Sequence, residues 1–298
     1  MNVLILGGGY IGTHLFDHLT TKHSVNLLTQ KEVDYTFAKK YPKSTDFKEY
    51  LHSVPRVDIA VNCSGYTGAP NVDACETNKE DCWYYNVIAP QKTAELCNLF
   101  NIPVVHISSG CIYSGDNDYT EEDVPNLGLY SDNSSFYSKS KHAGELALKD
   151  TLTYILRIRM PFCNKDVHKN ILMKLLKYDQ VINEMNCLTC VEDLCRLIED
   201  LCYRRNVIDT GIYNVINGGK IKTTVLRNIM SKYGLSNPNW EEVTEASLNL
   251  SCRRSNCTLS NLKLLKNKLH MPNLTDALVA SIKVLATERE QCQVIEKG

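Results

Sequence analysis

The stretch NVLILGGGYIG, residues 2–12, predicts the fold of this chain. Its first five residues form an apolar run typical of a buried β-strand, and Gly7, Gly9 and Gly12 follow in the spacing G-x-G-x-x-G. Glycines at these places permit a tight turn, close approach of the backbone to a pyrophosphate, and phosphate binding at a helix N-terminus. The stretch therefore predicts a dinucleotide-binding βαβ unit. We expect the cofactor to lie against Gly7, Gly9, Tyr10, Ile11 and Gly12.

The second predicted strand, Ser24–Thr29, ends without the Asp or Glu that usually binds the ribose of NAD. Thr29, Gln30 and Lys31 stand there instead. A missing carboxylate and a nearby cation fit the additional phosphate of NADP. The predicted cofactor is therefore NADPH, with NADH less favoured and Lys31 as a candidate contact.

Short apolar runs alternate with helical patterns over the first half of the chain. This alternation predicts a parallel sheet covered by helices on both faces. We expect an α/β fold, a Rossmann-type doubly wound parallel sheet with a smaller C-terminal substrate-binding α/β region. The predicted division is residues 1–160 for the NADP-binding domain, with return segments near 180–217, and residues 161–298 for the smaller region. The C-terminal third of the chain is predicted to be helical.

The charge balance excludes a general attraction to polyanions. The chain has 298 residues with 33 basic and 34 acidic side chains, a net charge of -1, so we expect neither nucleic acid nor membrane as a partner. No apolar run reaches the roughly 18–20 residues of a membrane span, and the N-terminus lacks the basic segment of a signal peptide. These features predict a cytoplasmic protein.

The 13 cysteines fit that prediction as reduced thiols, because they are scattered and odd in number. Cys187 and Cys190 form the sole C-x-x-C pair of the sequence. No second pair follows at the spacing of a zinc ribbon, so no metal site is expected.

An acid–base pair is predicted at the start of a helix. Tyr137 and Lys141 form Tyr-x-x-x-Lys, and their i, i+4 spacing places both side chains on one helix face. An ammonium close to a phenol lowers the phenol's pKa and makes it a usable proton carrier. The alternative is a Tyr and a Lys on an exposed helix, but Ser109, at the end of an upstream predicted strand, favours a site.

In this order, the glycine loop, the strand-end serine and Tyr-x-x-x-Lys resemble the extended short-chain dehydrogenase/reductases. The resemblance implies that Ser109 binds the substrate oxygen by a hydrogen bond. It implies that Tyr137 is the general acid of a reduction, and that Lys141 tunes Tyr137 and holds a cofactor ribose.

Further stretches resemble the bifunctional UDP-4-keto-6-deoxyglucose 3,5-epimerase/4-reductases, the nucleotide-rhamnose synthases of plants and giant viruses. The similarity spans nearly the whole chain, although the glycine loop is one residue shorter than the family's form. A viral member would work in the host cytoplasm. The matching stretches are NCSGYTGAPNVD (62–73), GCI (110–112), EEDVPN (121–126), FYSK (136–139), RIRMP (157–161) and RSN (254–256).

The resemblance assigns epimerase chemistry to Cys111 and Lys174. A proton next to a ketone is weakly acidic, so a base and an acid on opposite faces of the ring can invert the centre. The alternative makes Cys111 a buried strand-end residue and Lys174 a solvated helix residue, and the sequence leaves open which of the two removes the proton. Because epimerisation needs the carbonyl at carbon 4, it precedes reduction by NADPH, and the implied product is UDP-β-L-rhamnose.

The resemblance also implies binding roles around this chemistry. Arg254 is expected to clamp the UDP diphosphate of the substrate, UDP-4-keto-6-deoxyglucose, as a bidentate donor. The expected sugar or nucleotide contacts are Thr67, Asn71 and Asn170, beside Ser109 and Cys111. The expected residues of the cofactor cleft are Asn62, Ser64, Gly65 and Asn86, each of which is equally compatible with a turn.

Two other functions remain open at this point. One is a reductase alone, similar to dTDP-4-dehydrorhamnose reductases, against which the pair Cys111 and Lys174 argues. The other is a non-catalytic NADP-binding regulatory subunit, against which Ser109, Tyr137 and Lys141 argue. By analogy with the fold class, we expect a homodimer through the helices near residues 83–100 and 138–149.

Overall fold

Six parallel strands form the central sheet. The computed structural model describes residues 1–69, 71–248, 250 and 252–297. The strand order is β11-β8-β6-β5-β1-β2, and each neighbouring pair is parallel. These strands are β1 (Asn2–Leu6), β2 (Ser24–Leu28), β5 (Ile59–Asn62), β6 (Val104–Ser109), β8 (Thr153–Ile158) and β11 (Gly211–Asn214). The predicted α/β, Rossmann-type fold class is confirmed.

Helices cover both faces of this sheet, as the near-continuous apolar strands require. On one face, alternate β1 side chains such as Val3 and Ile5 pack with α1 and α8, while Leu4 and Leu6 pack on the other face with α2 and α5. The helices are α1 (Tyr10–Leu19), α2 (Phe47–Ser53), α3 (Ala74–Thr77), α4 (Lys79–Trp83), α5 (Ala89–Leu99), α6 (Phe136–Ala147), α7 (Ile171–Leu175), α8 (Val191–Arg204), α9 (Thr223–Lys232), α10 (Leu262–Lys266) and α11 (Leu274–Lys297).

The long helix predicted at residues 83–100 is interrupted. A π-helical turn, Tyr84–Ile88, joins α4 to α5, and Asn86 is buried within it. Its Oδ1 accepts a hydrogen bond from Tyr66 N at 2.8 Å, and its Nδ2 donates to Ser140 Oγ at 3.0 Å. The irregular turn therefore brings a polar side chain to the junction between the loop after β5 and α6.

The second half of the chain is less helical than the sequence predicts. It contributes to three two-stranded sheets, which pair β10 with β12, β13 with β9, and β14 with β7. A fourth two-stranded sheet, β3 with β4, lies in the first half of the chain. The strands are β3 (Val33–Asp34), β4 (Thr45–Asp46), β7 (Gly115–Tyr119), β9 (Gln180–Ile182), β10 (Met185–Asn186), β12 (Ile221–Lys222), β13 (Glu241–Val243) and β14 (Cys257–Leu259). A separate apolar cluster packs α7, α9 and α11 together. Strands of two or three residues are too short to show an alternating pattern, so the sequence does not predict them.

The strand order reverses at β1, which lies between β2 and β5. In open α/β sheets, the crevice at such a point, beyond the carboxyl ends of the strands, is where ligands bind. Among the described residues, no helix has the combination of length and apolarity that crossing a bilayer requires.

Candidate active site

The glycine loop leaves an open face at the N-terminus of α1. Gly7 has φ +103°, a left-handed conformation, and its backbone N–H donates to Leu28 O at 2.9 Å. A Cβ on Gly12 would lie 1.9 Å from Gly7 O, whereas a Cβ on Gly9, the N-cap of α1, would meet nothing within 4 Å. Gly12 thus serves the close packing of helix on loop, and Gly9 leaves room for a phosphate.

Gly9→Ala is expected to fold and to lose about tenfold or more in NADPH affinity, because the added methyl occupies the open face of the loop. The stability loss should stay near that of an N-cap change, about 1 kcal/mol. Gly12→Ala is the contrast, since its methyl meets backbone and the native loop cannot form. Fluorescence titration with NADPH and thermal unfolding measure the two effects, and an unchanged affinity in Gly9→Ala would contradict this placement of the phosphate.

The side chains of Asn62 and Asn86 shape loops in this structure. Asn62 Oδ1 accepts hydrogen bonds from the backbone N–H and the hydroxyl of Ser64. A Cβ on Gly65 would lie 3.2 Å from Asn86 Oδ1. Ser64 and Gly65 therefore follow a path that these two amides determine, at the switch point of the sheet.

Of three other predicted cofactor residues, two have side chains engaged in packing and the third is exposed. Ile11 is buried in the core cluster on one sheet face, so its side chain is a packing residue. Tyr10 lies at the first position of α1, and its ring packs edge-on against His14 with centroids 5.2 Å apart. Lys31 follows β2 on the exposed surface.

His14 also belongs to a small polar cluster beside α1. Donor atoms of His14, Cys163 and Glu192 all lie within 4.8 Å of one another. Cys163 Sγ accepts from the Lys165 N–H at 3.4 Å, and Glu192 Oε1 accepts from the Asn164 N–H at 3.0 Å. The Glu192 contact holds the loop after β8 against α8.

The acid–base residues meet where β6 ends against α6. Tyr137 is 9% exposed, and burial raises its pKa, an effect that the nearby Cys111 strengthens and a hydrogen bond from Ser109 opposes. Lys141 is 5% exposed and donates to Ile107 O at 3.1 Å. Burial therefore outweighs any lowering by Lys141, and the net pKa shift of Tyr137 in this structure is upward. Burial also lowers the pKa of Lys141 to about 8.

Cys111 lies beside this pair on a 3₁₀ turn, Gly110–Ile112, that continues β6. Its N–H donates to Ser109 Oγ at 3.2 Å, and its carbonyl accepts from Ser138 Oγ of α6 at 2.7 Å. The half-buried Cys111 side chain packs against the buried cluster that contains Tyr137. The turn therefore brings a thiol to the same place as the phenol.

Asn170 and Lys174 lie apart from these groups. Asn170 is fully buried and caps α7, accepting from Leu172 N at 3.1 Å and donating to Cys163 O at 2.8 Å. The expected sugar contact at Asn170 is replaced by this structural role. Lys174 is half-buried on α7, where burial and then Lys169 lower its pKa. Among the described residues, no hydrogen bond or ion pair joins Lys174 to Cys111.

Arg254 is already engaged by a carboxylate. Its guanidinium donates to Asp73 at 2.6 and 2.8 Å, in the bidentate arrangement that the sequence predicts for a diphosphate. Asn71 Oδ1 accepts from the Asp73 N–H at 2.8 Å, and Thr67 is exposed nearby in sequence. Arg254 can therefore bind the diphosphate only if its ion pair with Asp73 breaks.

A polar cavity of about 570 Å³ lies beside this ion pair, between the α6 N-terminus and the segment before β14. Its lining includes both acidic and basic groups. The lining residues are Glu76, Lys79, Asp132, Asn133, Ser134, Phe136, Lys139, Cys252 and Arg253.

Comparison with known proteins identifies the family. Residues 1–287 match the family model described as the RmlD substrate binding domain. The chain belongs to this family.

Three relatives of this RmlD-family chain have names that refer to the synthesis of rhamnose nucleotides. A bifunctional dTDP-4-dehydrorhamnose 3,5-epimerase/dTDP-4-dehydrorhamnose reductase of Arabidopsis thaliana is 29% identical over 78% of this chain and 78% of its own length. The crystal structure of the L780 UDP-rhamnose synthase of Acanthamoeba polyphaga mimivirus has a TM-score of 0.80 at 20% identity, covering 95% of this chain and 99% of that one. A dTDP-4-dehydrorhamnose reductase of Bacillus anthracis in complex with NADP has a TM-score of 0.77 at 21% identity, covering 93% and 96%. The structural likenesses show the shared fold.

Two residues of this family member make contacts that the sequence does not predict. Glu32 lies two positions beyond Gln30, and its carboxylate accepts from the N–H and hydroxyl of Thr29 at 3.1 and 2.8 Å. A carboxylate therefore lies beside the end of β2, where no acidic side chain was predicted. Arg159 follows β8, and its Nη1 lies 3.2 Å from Cys111 Sγ. Its signal was the second arginine of the RIRMP stretch, a charged residue at the end of a mostly apolar run.

Proposed function

We propose that this protein epimerises UDP-4-keto-6-deoxy-D-glucose at carbons 3 and 5 and then reduces the 4-keto group with NADPH to give UDP-L-rhamnose. The observation that carries the proposal is the packing of Cys111 against the cluster that contains Tyr137. A proton carrier for epimerisation and a proton donor for reduction thus lie within reach of one sugar ring. The names of the Arabidopsis relative and of the mimivirus structure support the same pair of activities.

The glycine loop fits a dinucleotide. Gly9 leaves open space at the N-terminus of α1, where backbone N–H groups and the helix dipole favour a pyrophosphate. Gly7 would form the turn of this cradle, Gly12 would permit its close packing on α1, and Tyr10 would contribute only its backbone. Lys31 would lie near the adenosine ribose and Lys141 near the nicotinamide ribose. NADPH supplies the hydride for carbon 4 when bound, and the NADP complex of the Bacillus anthracis relative supports this choice.

Reduction needs a proton donor at the carbonyl oxygen. Tyr137 suits this role because burial raises its pKa and keeps the phenol protonated at neutral pH. Ser109, its hydrogen-bond neighbour, would hold the same oxygen. Lys141, one helical turn along α6, stays largely protonated at neutral pH and would stabilise the phenolate that forms.

Epimerisation uses the acidity that the 4-keto group gives to carbons 3 and 5. Removal of either proton places negative charge on the carbonyl oxygen, which Ser109 and Tyr137 would stabilise by hydrogen bonds. Cys111 and Lys174 would exchange protons with the ring. For Lys174 this requires approach to the ring, and its lowered pKa brings its proton exchange closer to neutral pH.

We expect kcat/KM for reduction to fall as the pH rises through about 8. Lys141 carries its positive charge below its pKa of about 8 and loses it above, so the phenolate loses its stabilising cation on the alkaline side. Initial rates between about pH 6 and 10 would show the decline. Lys141→Met should be slow and should show no decline of kcat/KM through about pH 8. An identical decline in Lys141→Met would show that another group causes it.

Product analysis tests the proposed function. The purified protein receives NADPH and the 4-keto-6-deoxyglucose nucleotide with no other enzyme, and NMR identifies the product; the uridine and thymidine carriers are compared in parallel. UDP-rhamnose is the expected product. A product with unchanged stereochemistry at carbons 3 and 5 would support a reductase alone, and NADPH binding without turnover would support the regulatory subunit. The predicted homodimer is checked by light scattering on the same sample.

A further inference from the structure

Arg159 is a buried cation without a carboxylate partner. Its exposed fraction is 3%, and among the salt bridges of the described residues none includes it. Arg157, two residues earlier in β8, is equally buried but pairs with Glu145 through three hydrogen bonds of 2.8 to 3.1 Å. Since a buried charge is costly unless it is compensated, the unpaired Arg159 requires an explanation that Arg157 does not.

Neutral acceptors hold the Arg159 guanidinium in place. Nη2 donates to Asn186 Oδ1 at 2.7 Å and also to the Ser255 carbonyl. Nη1 donates to Cys111 Sγ at 3.2 Å. These contacts hold Nη2 of the guanidinium against β10 and the segment before β14, and Nη1 is directed at the Cys111 sulfur.

Three thiols surround this cation, and they differ in access. Cys187 and Cys257 are completely buried, and burial raises the pKa of both, that of Cys187 to about 12. Both stay neutral at physiological pH and cannot balance the charge. Cys111 is half-buried and packs with Tyr137, so it is the thiol of the three that can reach a substrate.

We propose that Arg159 is a positioning residue for Cys111, holding its sulfur in place and stabilising its thiolate form. This inference rests on the proposed epimerase function. The thiolate takes a proton from the carbon beside the ketone and becomes a thiol, and the electron pair of the broken C–H bond moves to the carbonyl oxygen. The electron pair then returns to the carbon, which takes a proton on its opposite face from the Lys174 ammonium. The Cys111 thiol and the Lys174 amine regain their starting protonation states by exchange with water. Arg159 takes no proton in these steps, because a guanidinium stays charged.

The direct test is the alkylation rate of Cys111 by iodoacetamide, followed across pH by mass spectrometry of the Cys111 peptide. Because the thiolate is the reactive form, Arg159→Met is expected to lower the rate at neutral pH about tenfold or more, and Arg159→Lys to restore part of it. The half-buried Cys252, which contacts Asp73, is the internal control and should react at an unchanged rate.

A second variant covers the case in which Arg159→Met does not fold. Asn186→Asp preserves the shape of the side chain that contacts Nη2 and gives Arg159 a carboxylate. That carboxylate competes with the Cys111 thiolate for the same cation, so alkylation of Cys111 should again slow. An unchanged rate and pH profile in the folded variants would overturn the proposal.

Deuterium exchange separates this proposal from the proposed function. In D₂O without NADPH, the wild type should exchange the protons at carbons 3 and 5, and Arg159→Met should exchange them about tenfold or more slowly. Reduction of UDP-4-keto-L-rhamnose, which needs no epimerisation, should be largely retained. If the wild type does not exchange these protons, the epimerase function is refuted. Slower alkylation of Cys111 in Arg159→Met would then still support the effect of Arg159 on the thiol. Exchange by Arg159→Met at the wild-type rate would refute the role of Arg159 alone.

Discussion

Tyr137→Phe is expected to lower kcat for reduction about a thousandfold while leaving NADPH affinity within about twofold. The phenol is 9% exposed and has Ser109 as its hydrogen-bond neighbour, so loss of the hydroxyl removes the proton donor and little packing. Loss of NADPH absorbance with the 4-keto sugar nucleotide measures kcat, and fluorescence titration measures cofactor affinity.

Tyr130→Phe is the matched control, because Tyr130 is 81% exposed on the loop before α6 and contacts neither Ser109 nor Lys141. Its kcat should equal that of the wild type. If Tyr137→Phe kept more than about a tenth of the activity, another group would have to donate the proton, and Tyr137 would be a binding residue.

Cys111→Ala should separate the two proposed activities. We expect exchange at carbons 3 and 5 in D₂O to fall about a hundredfold or more, because the proton carrier beside the ring is lost. Reduction of UDP-4-keto-L-rhamnose should stay within about threefold of the wild type, since Ser109, Tyr137 and Lys141 are intact. NMR of the recovered sugar nucleotide measures exchange, and NADPH oxidation measures reduction.

Cys97→Ala provides the control for removing a thiol. Cys97 is buried on α5, in the cluster on the sheet face that includes Leu4 and Leu6, and should affect neither activity. Equal losses of exchange and reduction in Cys111→Ala would indicate a disturbed 3₁₀ turn. Undiminished exchange would leave the epimerase role to another residue.

The central fold was predictable because local patterns encode it. Residues 2–12 have the apolar run and the glycine spacing of a strand–loop–helix unit, and the structure shows β1, the loop and α1 there. The parallel strands are buried on both faces and therefore form apolar runs that can be recognised one at a time. The sequence did not predict the π-helical turn between α4 and α5 or the short strands of the second half. Their conformations depend on partners distant in sequence.

The candidate site was predictable in its residue types and only partly in their roles. Tyr-x-x-x-Lys indicated the α6 face, but the direction of the Tyr137 pKa shift depends on burial, which a sequence pattern does not state. Asn170 matched a motif position, yet the structure uses it as a helix cap. Arg254 was expected to be free for a diphosphate, but Asp73, 181 positions away, occupies it.

By itself, the sequence determined the α/β class, the glycine loop and the order of Ser109, Tyr137 and Lys141, because these follow from contacts between neighbouring residues and from strand periodicity. The tertiary structure alone decided which charges meet. Arg157 and Arg159 look equivalent in sequence, but folding places Glu145 beside the first and Cys111 beside the second. Burial removes water from both guanidinium groups, so the nearest anion or thiol, brought there by other parts of the chain, determines what each arginine does.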